Sequence, residues 1–135
     1  NCLVINGPKV SNEIVFTNDV IQLVSDTQFE WLGRFDNVIN SGGIKLHPEK
    51  IEVKLAEIIS TRFFVIGAAD ESLGEKLILI VEGKHQIIEI KNIGLSKFEI
   101  PKEIYFVEKF IETETKKIES KNTKTCAIIS YLTVI

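Results

Sequence analysis

Two apolar runs in the middle of the chain constrain the fold most strongly. "RFFVIG" spans residues 62–67, "KLILIVEG" spans residues 76–83, and a polar loop joins them. Both runs are rich in strand-forming residues and neither alternates with polar ones, which is typical of strands buried on both faces. After Pro101, "EIYFVE" predicts a third strand. We therefore expect an α+β fold: a β-hairpin, then a three-stranded sheet with helices packed on it.

The stretch "GRFDNVINSGGIKLHPEKIE", residues 33–52, predicts a hairpin followed by a helix. Ser41, Gly42 and Gly43 lie between two short apolar pieces, and glycine adopts positive φ without a steric cost. Pro48 suits the first position of a helix, and Glu49 suits the positive end of the helix dipole. The apolar face of this helix is predicted to comprise Ile51, Leu55, Ile58 and Ile59.

The first 35 residues predict a small β-sheet. "CLVI" and "EIVFT" are strand-like, and "DVIQLVSD" and "FEWLGRF" predict a hairpin about "SDTQ". A sheet of this size is marginally stable by itself. We therefore expect residues 1–35 to be the end of a neighbouring N-terminal domain, and residues 36–135 to form a C-terminal domain.

Composition restricts the partners. The 135 residues carry a net charge of −3, which gives no general attraction to nucleic acid or to an anionic membrane surface. No apolar run approaches the ~20 residues of a membrane span. We therefore expect a cytoplasmic protein with no nucleic-acid or membrane partner. One disulfide between Cys2 and Cys126 is an open alternative, but free thiols are predicted because disulfides are rare in the cytosol.

The residues by themselves predict no specific chemistry. His47 and His85 are isolated, no cluster has the spacing of metal ligands, and no phosphate-binding glycine loop is present. Arg34 and Asp36 would form a surface pair, and the lysine-rich residues 113–124 would be solvated. The chain contains no methionine and begins Asn-Cys, so we expect it to be a fragment of a longer protein.

Four segments in order resemble the C-terminal end of the AMP-forming acyl-CoA synthetases of the adenylate-forming superfamily. "TND" at residues 17–19 is similar to the family's Thr-Gly-Asp motif, and residues 33–52 resemble its Gly-Arg-x-Asp … Gly-Gly-x-x-Ile-x-Pro-x-Glu-Ile-Glu segment. Residues 64–82 resemble Val-x-Gly-x-x-Asp-x-x-x-Gly-Glu. Residues 95–120 resemble Leu-x-x-Tyr-Lys-x-Pro … Thr-x-Thr-Gly-Lys-Ile. Each motif is weak alone, but their order and spacing make the resemblance specific over roughly residues 14–121.

The resemblance implies a two-step reaction. A small carboxylic acid attacks the α-phosphate of ATP, with Mg²⁺, to give an acyl-adenylate and pyrophosphate, and the thiol of coenzyme A then displaces AMP. In this family a large N-terminal domain binds ATP and the acid, and a small C-terminal lid domain turns between one pose for each step. The missing N-terminal domain is therefore the expected partner, and the isolated chain is expected to be inactive.

The resemblance also implies roles for individual residues. Asp19 matches the aspartate that binds both ribose hydroxyls, and Arg34 matches an arginine that holds the ribose region. Asp36 matches the hinge residue, which absorbs the backbone change of the rotation. Ser41, Gly42 and Gly43 match the glycine turn that approaches the tunnel for coenzyme A.

The catalytic lysine of adenylate formation matches Lys117, whose charge would meet the negative charge on the reacting oxygens. This chain departs from the family pattern here, because Lys116 replaces the preceding glycine and could be the working residue instead. Lys117 is preferred because isoleucine follows it, as in the family. A second departure is Asn18, which replaces the glycine of Thr-Gly-Asp.

The resemblance extends to a subfamily and implies one further helix. "RFDNVINSGG" is similar to the o-succinylbenzoate–CoA ligases of menaquinone synthesis. The family places a helix over "HQIIEIKNIGLSKF", residues 85–98, although its β-branched isoleucines favour a strand; we expect the helix. Two alternatives stay open: the lid of an adenylation domain that loads a carrier protein, and a non-catalytic binding module.

Overall fold

In the computed structural model, which describes residues 2–9, 11–115 and 117–118, the strands gather into two sheets. A short 3₁₀ turn, Phe35–Asn37, connects the sheets. The elements in chain order are β1 Cys2–Ile5, β2 Val15–Ser25, β3 Gln28–Arg34, β4 Ile39–Ser41, β5 Ile44–Leu46, α1 Pro48–Leu55, β6 Phe63–Asp70, β7 Gly74–Glu82 and β8 Glu103–Val107.

The first sheet is antiparallel in the order β1-β2-β3. The predicted hairpin is confirmed, but β2 is one continuous strand where the sequence predicted two, "EIVFT" and "DVIQLVSD". Many large apolar side chains of this sheet and its connections are exposed. The most exposed of them are Phe16, Leu23, Val24, Phe35 and Ile14.

The second sheet has the order β5-β4-β7-β6, and β8 pairs with β7 in parallel. The predicted strands β6, β7 and β8 are therefore confirmed, and the hairpin β4–β5 extends their sheet to five strands. β7 is its centre, and Leu77–Val81 has side chains exposed by at most 1%. Such complete burial explains why this run reads as continuously apolar rather than alternating.

Helix α1 begins at Pro48, as the sequence predicts, and packs on the second sheet. Ile51, Leu55 and Ile59 are buried in the core beside β7. Ile58, which was predicted to share this face, is 39% exposed because the helix ends at Leu55 and the following residues form a turn. In the described part of the chain, no helix has the length and apolarity needed to cross a membrane.

The helix expected over residues 85–98 is wrong, because the structure has no helix there. The segment belongs to the crossover between the parallel strands β7 and β8. Ile88, Ile90, Ile93 and Leu95 pack on the core without helical structure. Asn92 and Gly94 have φ of 59° and 70°, which a continuous helix does not contain. The segment contains no strand either, so neither the helix of the family pattern nor the strand preference of β-branched isoleucine describes it.

Candidate functional site

Asp19 and Arg34, the two residues predicted to hold the nucleotide, face each other across β2 and β3. They are direct partners in the strand register, and Arg34 Nε lies 4.0 Å from Asp19 Oδ1. The side chain of Arg34 is 53% exposed, and the side chain of Asp19 is 32% exposed. An ion pair this long and this exposed contributes about 0–1 kcal/mol. Both groups can therefore exchange their mutual contact for a ligand at small cost.

The position of Asp19 is fixed by its neighbours. Trp31 donates its indole Nε1–H to Asp19 Oδ1 at 3.2 Å, which orients the carboxylate. The Thr17 hydroxyl accepts from the Asp19 N–H at 3.2 Å and donates to the carbonyl of Leu3 at 2.8 Å. The threonine of the "TND" motif thus ties β2 to β1 at the point where the aspartate projects. Trp31 is a site residue that the sequence reasoning missed.

Asp36, the predicted hinge residue, lies in the 3₁₀ turn between the two sheets. Asn18 donates its side-chain Nδ2–H to Asp36 Oδ2. Since Asn18 directly precedes Asp19 on β2, the structure brings three of the predicted residues, Asp19, Arg34 and Asp36, into one neighbourhood.

Glu49 makes contacts with the segment after β3 that the sequence reasoning did not predict. Its Oε1 accepts from the Arg34 backbone N–H at 3.2 Å and from Asn37 Nδ2 at 2.6 Å. Its Oε2 is buried and has no partner among the described residues. Gly33 is buried against it, with a φ of 142°, and a Cβ added there would lie 2.8 Å from Glu49 Cδ. The sequence indicated a helix-capping charge at Glu49, but no local pattern predicts that it reaches back to residues 33–37.

Replacing Gly33 with alanine tests this packing. The variant should lower the free energy of unfolding by about 2–4 kcal/mol, because it combines a strained φ with displacement of a hydrogen-bonded carboxylate. Gly43→Ala is the matched control: its φ is 81°, and an added Cβ meets nothing within 4 Å. It should cost only the backbone strain, about 1–2 kcal/mol. Chemical denaturation measures the free energy of unfolding of both variants. Equal losses would show that the Glu49 carboxylate moves aside without a cost in stability.

The predicted turn for coenzyme A, Ser41–Gly42–Gly43, forms the tip of the β4–β5 hairpin. Gly42 and Gly43 have φ of 58° and 81°, so the prediction of a glycine-dependent turn is confirmed. The Gly42 N–H donates to the carbonyl of Leu73 at 2.8 Å, and Ser41 pairs with Gly74. The turn therefore lies beside the β6–β7 connection, in the other sheet from Asp19 and Arg34.

Lys117 lies in a tight turn after β8, and its side chain is exposed. Its carbonyl accepts from the Thr113 N–H at 2.8 Å, and its own N–H donates to the Thr113 hydroxyl at 3.2 Å. Arg62 anchors the turn through Glu112. Lys116 lies outside the described residues, so the choice between the two lysines stays a prediction.

The described residues offer no metal centre. Across residues 2–9, 11–115 and 117–118, no three His, Cys, Asp or Glu side chains come together in a way that could hold an ion. Cys2 is a free, exposed thiol, and Cys126 lies outside the described residues.

No protein-family model matches the chain. Comparison with individual known proteins identifies relatives that are named as synthetases or ligases of acids. An acyl-CoA synthetase of Alternaria alternata is 34% identical over 103 residues, covering 68% of this chain and 18% of that protein. The vibriobactin-specific 2,3-dihydroxybenzoate-AMP ligase of Vibrio cholerae is 30% identical, covering 76% and 21%. A 2-succinylbenzoate–CoA ligase of Bacillus cytotoxicus is also 30% identical, covering 64% and 19%.

A solved structure supports the same relationship. The acyl-CoA synthetase (AMP-forming)/AMP-acid ligase II-like protein of Dyadobacter fermentans is 34% identical and superposes with a TM-score of 0.64, covering 93% of this chain and 39% of that chain. The resemblance to AMP-forming acyl-CoA synthetases that the four motifs indicated is confirmed. The homologues and structural neighbours of this chain are AMP-forming acyl-CoA and aryl-acid ligases, and the chain spans about a fifth of the length of the curated relatives.

Proposed function

We propose that this chain is the C-terminal part of an ATP-dependent, AMP-forming acid–CoA ligase. Residues 1–35 would end the N-terminal domain, and residues 36–135 would be the lid. The complete enzyme would convert a carboxylic acid and ATP into an acyl-adenylate, and then transfer the acyl group to coenzyme A. The observation that carries the proposal is the neighbourhood of Asp19, Arg34 and Asp36, found in a chain whose relatives are ligases of this type.

The Asp19–Arg34 pair suits the ribose of a nucleotide. A carboxylate can accept hydrogen bonds from two adjacent hydroxyls, and the guanidinium offers a planar fork of donors. Trp31 would hold the Asp19 carboxylate in place while the long contact between Asp19 and Arg34 gives way to the ligand. Asp36 would then be the pivot, since it lies in the connection between the two sheets.

The exposed apolar surface of the first sheet fits a missing domain. Phe16 and Leu23 are 78% and 72% exposed, and further apolar residues of β2 and β3 lie nearby. Groups of exposed large apolar side chains are normally covered by a partner. We assign that partner to the N-terminal domain, because the relatives are about five times as long as the matched segment.

In this proposal, Lys117 supplies positive charge for adenylate formation, and Ser41, Gly42 and Gly43 border the path of coenzyme A. We propose o-succinylbenzoate as the acid, which would place the enzyme in menaquinone biosynthesis in the cytoplasm. Support comes from the 2-succinylbenzoate–CoA ligases among the relatives. The second candidate is an adenylation enzyme that loads a carrier protein. Its support is that one relative, 30% identical, is named as an AMP ligase and not as a CoA ligase.

A pyrophosphate-release assay tests the proposal. The complete protein encoded by the gene should release pyrophosphate from ATP with o-succinylbenzoate and form a thioester with coenzyme A. Chain 1–135 alone should show no turnover. Transfer to a carrier protein in place of coenzyme A would support the second candidate. Turnover by the isolated chain would contradict the assignment. Absence of turnover by the complete protein with every acid tested would also contradict it, and a non-catalytic binding module predicts that result.

A further inference from the structure

The hinge segment, residues 34–37, is held by side chains from both of its neighbouring elements. From the first sheet, Asn18 donates to the carboxylate of Asp36. From helix α1, Glu49 accepts from the Arg34 N–H and from Asn37. The segment is therefore tied at its start, at its centre and at its end.

Asn18 makes a contact that the usual motif cannot provide. In the resembling Thr-Gly-Asp motif, the residue before the aspartate is glycine, which has no side chain. In this chain the amide of Asn18 reaches the residue assigned as the pivot. A rotation about Asp36 would either break this hydrogen bond or move Asn18 together with Asp36. The contact can form only in sequences that have a hydrogen-bond donor in the side chain at this position.

Glu49 binds the hinge segment from the lid side. The Asn37 amide lies 2.6 Å from Glu49 Oε1 and orients the carboxylate, which then accepts the Arg34 N–H across the pivot. Because Oε2 is buried without a partner in the described structure, the carboxylate fits here at the cost of lost hydration. The neighbouring Lys50–Glu30 ion pair also crosses the pivot at 2.7 Å, but both side chains are more than a third exposed, so it contributes little.

We propose that Asn18 and Glu49 are positioning residues that form a two-sided clamp on the hinge segment and slow the rotation of the lid between its two poses. The inference rests on the proposed function, since it takes Asp36 as the pivot of a ligase. Neither residue needs to touch a substrate in this role. The clamp acts by stabilising the conformation that residues 34–37 adopt in this structure.

The first measurement is amide hydrogen exchange at Arg34 in the complete enzyme. Glu49→Ala should speed exchange of this amide roughly tenfold, because its acceptor is lost. Glu49→Gln should give a smaller change, since its side-chain carbonyl can still accept. Asn18→Gly should speed exchange at Val38, whose N–H closes the 3₁₀ turn on the carbonyl of Phe35. The matched controls are Glu57→Ala and Asn12→Gly, which replace exposed residues elsewhere.

The second measurement is the lag between acyl-adenylate formation and thioester formation in a single turnover. The Asn18→Gly/Glu49→Ala double variant should shorten this lag roughly 3- to 10-fold, with KM for ATP unchanged within about twofold. An unchanged lag would overturn the clamp even if exchange is faster, because the contacts would then be merely structural. A raised KM for ATP with slower adenylation would assign Asn18 to the nucleotide and also overturn it.

The two measurements separate failure of the clamp from failure of the proposed function. If the wild-type protein forms no acyl-adenylate, the ligase assignment fails, whatever the exchange rates are. If the wild type is an active ligase and exchange at Arg34 and Val38 is the same in all variants, the clamp fails and the ligase assignment stands.

Discussion

Replacing Lys117 with alanine in the complete ligase is expected to slow acyl-adenylate formation by about 10²–10³-fold. The reason is electrostatic, because a positive charge placed where negative charge develops stabilises the transition state more than the ground state. Thioester formation from pre-made acyl-adenylate should stay within about twofold of wild type, since in the proposed function the lid turns to a different pose for that step. Rapid-quench assays of the two half-reactions measure both rates.

The position of Lys117 makes this a clean test. The hydrogen bonds that close its turn use the Lys117 backbone N–H and carbonyl, and alanine retains both groups. The exposed side chain can therefore be removed without loss of core packing. Lys109→Ala is the matched control, because it removes another exposed lysine from the segment after β8. Equal losses in both half-reactions would contradict the assigned role, and a larger adenylation loss in Lys116→Ala would transfer the role to that residue.

The sequence predicted the fold best where local chemistry determines the backbone. The turn at Gly42 and Gly43, the helix start at Pro48 and the buried run Leu77–Val81 were all predicted correctly, because each depends on residues close together in sequence. The prediction of a helix over residues 85–98 failed because local chemistry does not determine the backbone there. The apolar residues there pack on the core in a segment that is neither helix nor strand, so the family pattern was not a sufficient guide.

The sequence named candidate site residues but not the contacts that connect them. Motifs named Asp19, Arg34 and Asp36, and nothing in their spacing showed that Glu49 would reach the same backbone 15 residues away. That contact depends on how α1 packs beside β3, which is a tertiary property. The glycine before Arg34 was the available signal, since the absence of a Cβ at Gly33 leaves room for the Glu49 carboxylate.

Glu52 gives the prediction with the largest expected effect of pH on stability. It lies on α1, and its Oε1 accepts from the Val65 N–H at 3.0 Å. Burial raises the pKa of the Glu52 carboxyl from 4.5 to about 7; the hydrogen bond from Val65 opposes this shift, and the nearby charge of Glu49 adds to it. The folded state therefore keeps this proton to a higher pH than the unfolded state does.

The sign of the pH dependence follows from that difference. Below pH 4.5 the carboxyl is protonated in both states, so Glu52 costs nothing; as the pH rises to about 7, the unfolded state gains an ionised carboxylate that the folded state resists. One pKa unit corresponds to ~1.4 kcal/mol, so the contribution of Glu52 to the free energy of unfolding should fall by about 3 kcal/mol across this range. Stability from this group is thus present at acidic pH and lost as the pH rises through 7.

Replacing Glu52 with glutamine should remove this loss. The amide keeps an acceptor for Val65 but carries no charge, so the variant should be about 2–3 kcal/mol more stable than wild type at pH 8 and similar to it at pH 4.5. Burial lowers the pKa of His47, and its effect on stability runs the opposite way as the pH rises to 6.5, so the difference between variant and wild type is the informative quantity. Urea denaturation at a series of pH values measures it, with the exposed Glu57→Gln as control. A difference that does not change between pH 4.5 and pH 8 would mean that Glu52 ionises in the folded chain as easily as it does in water.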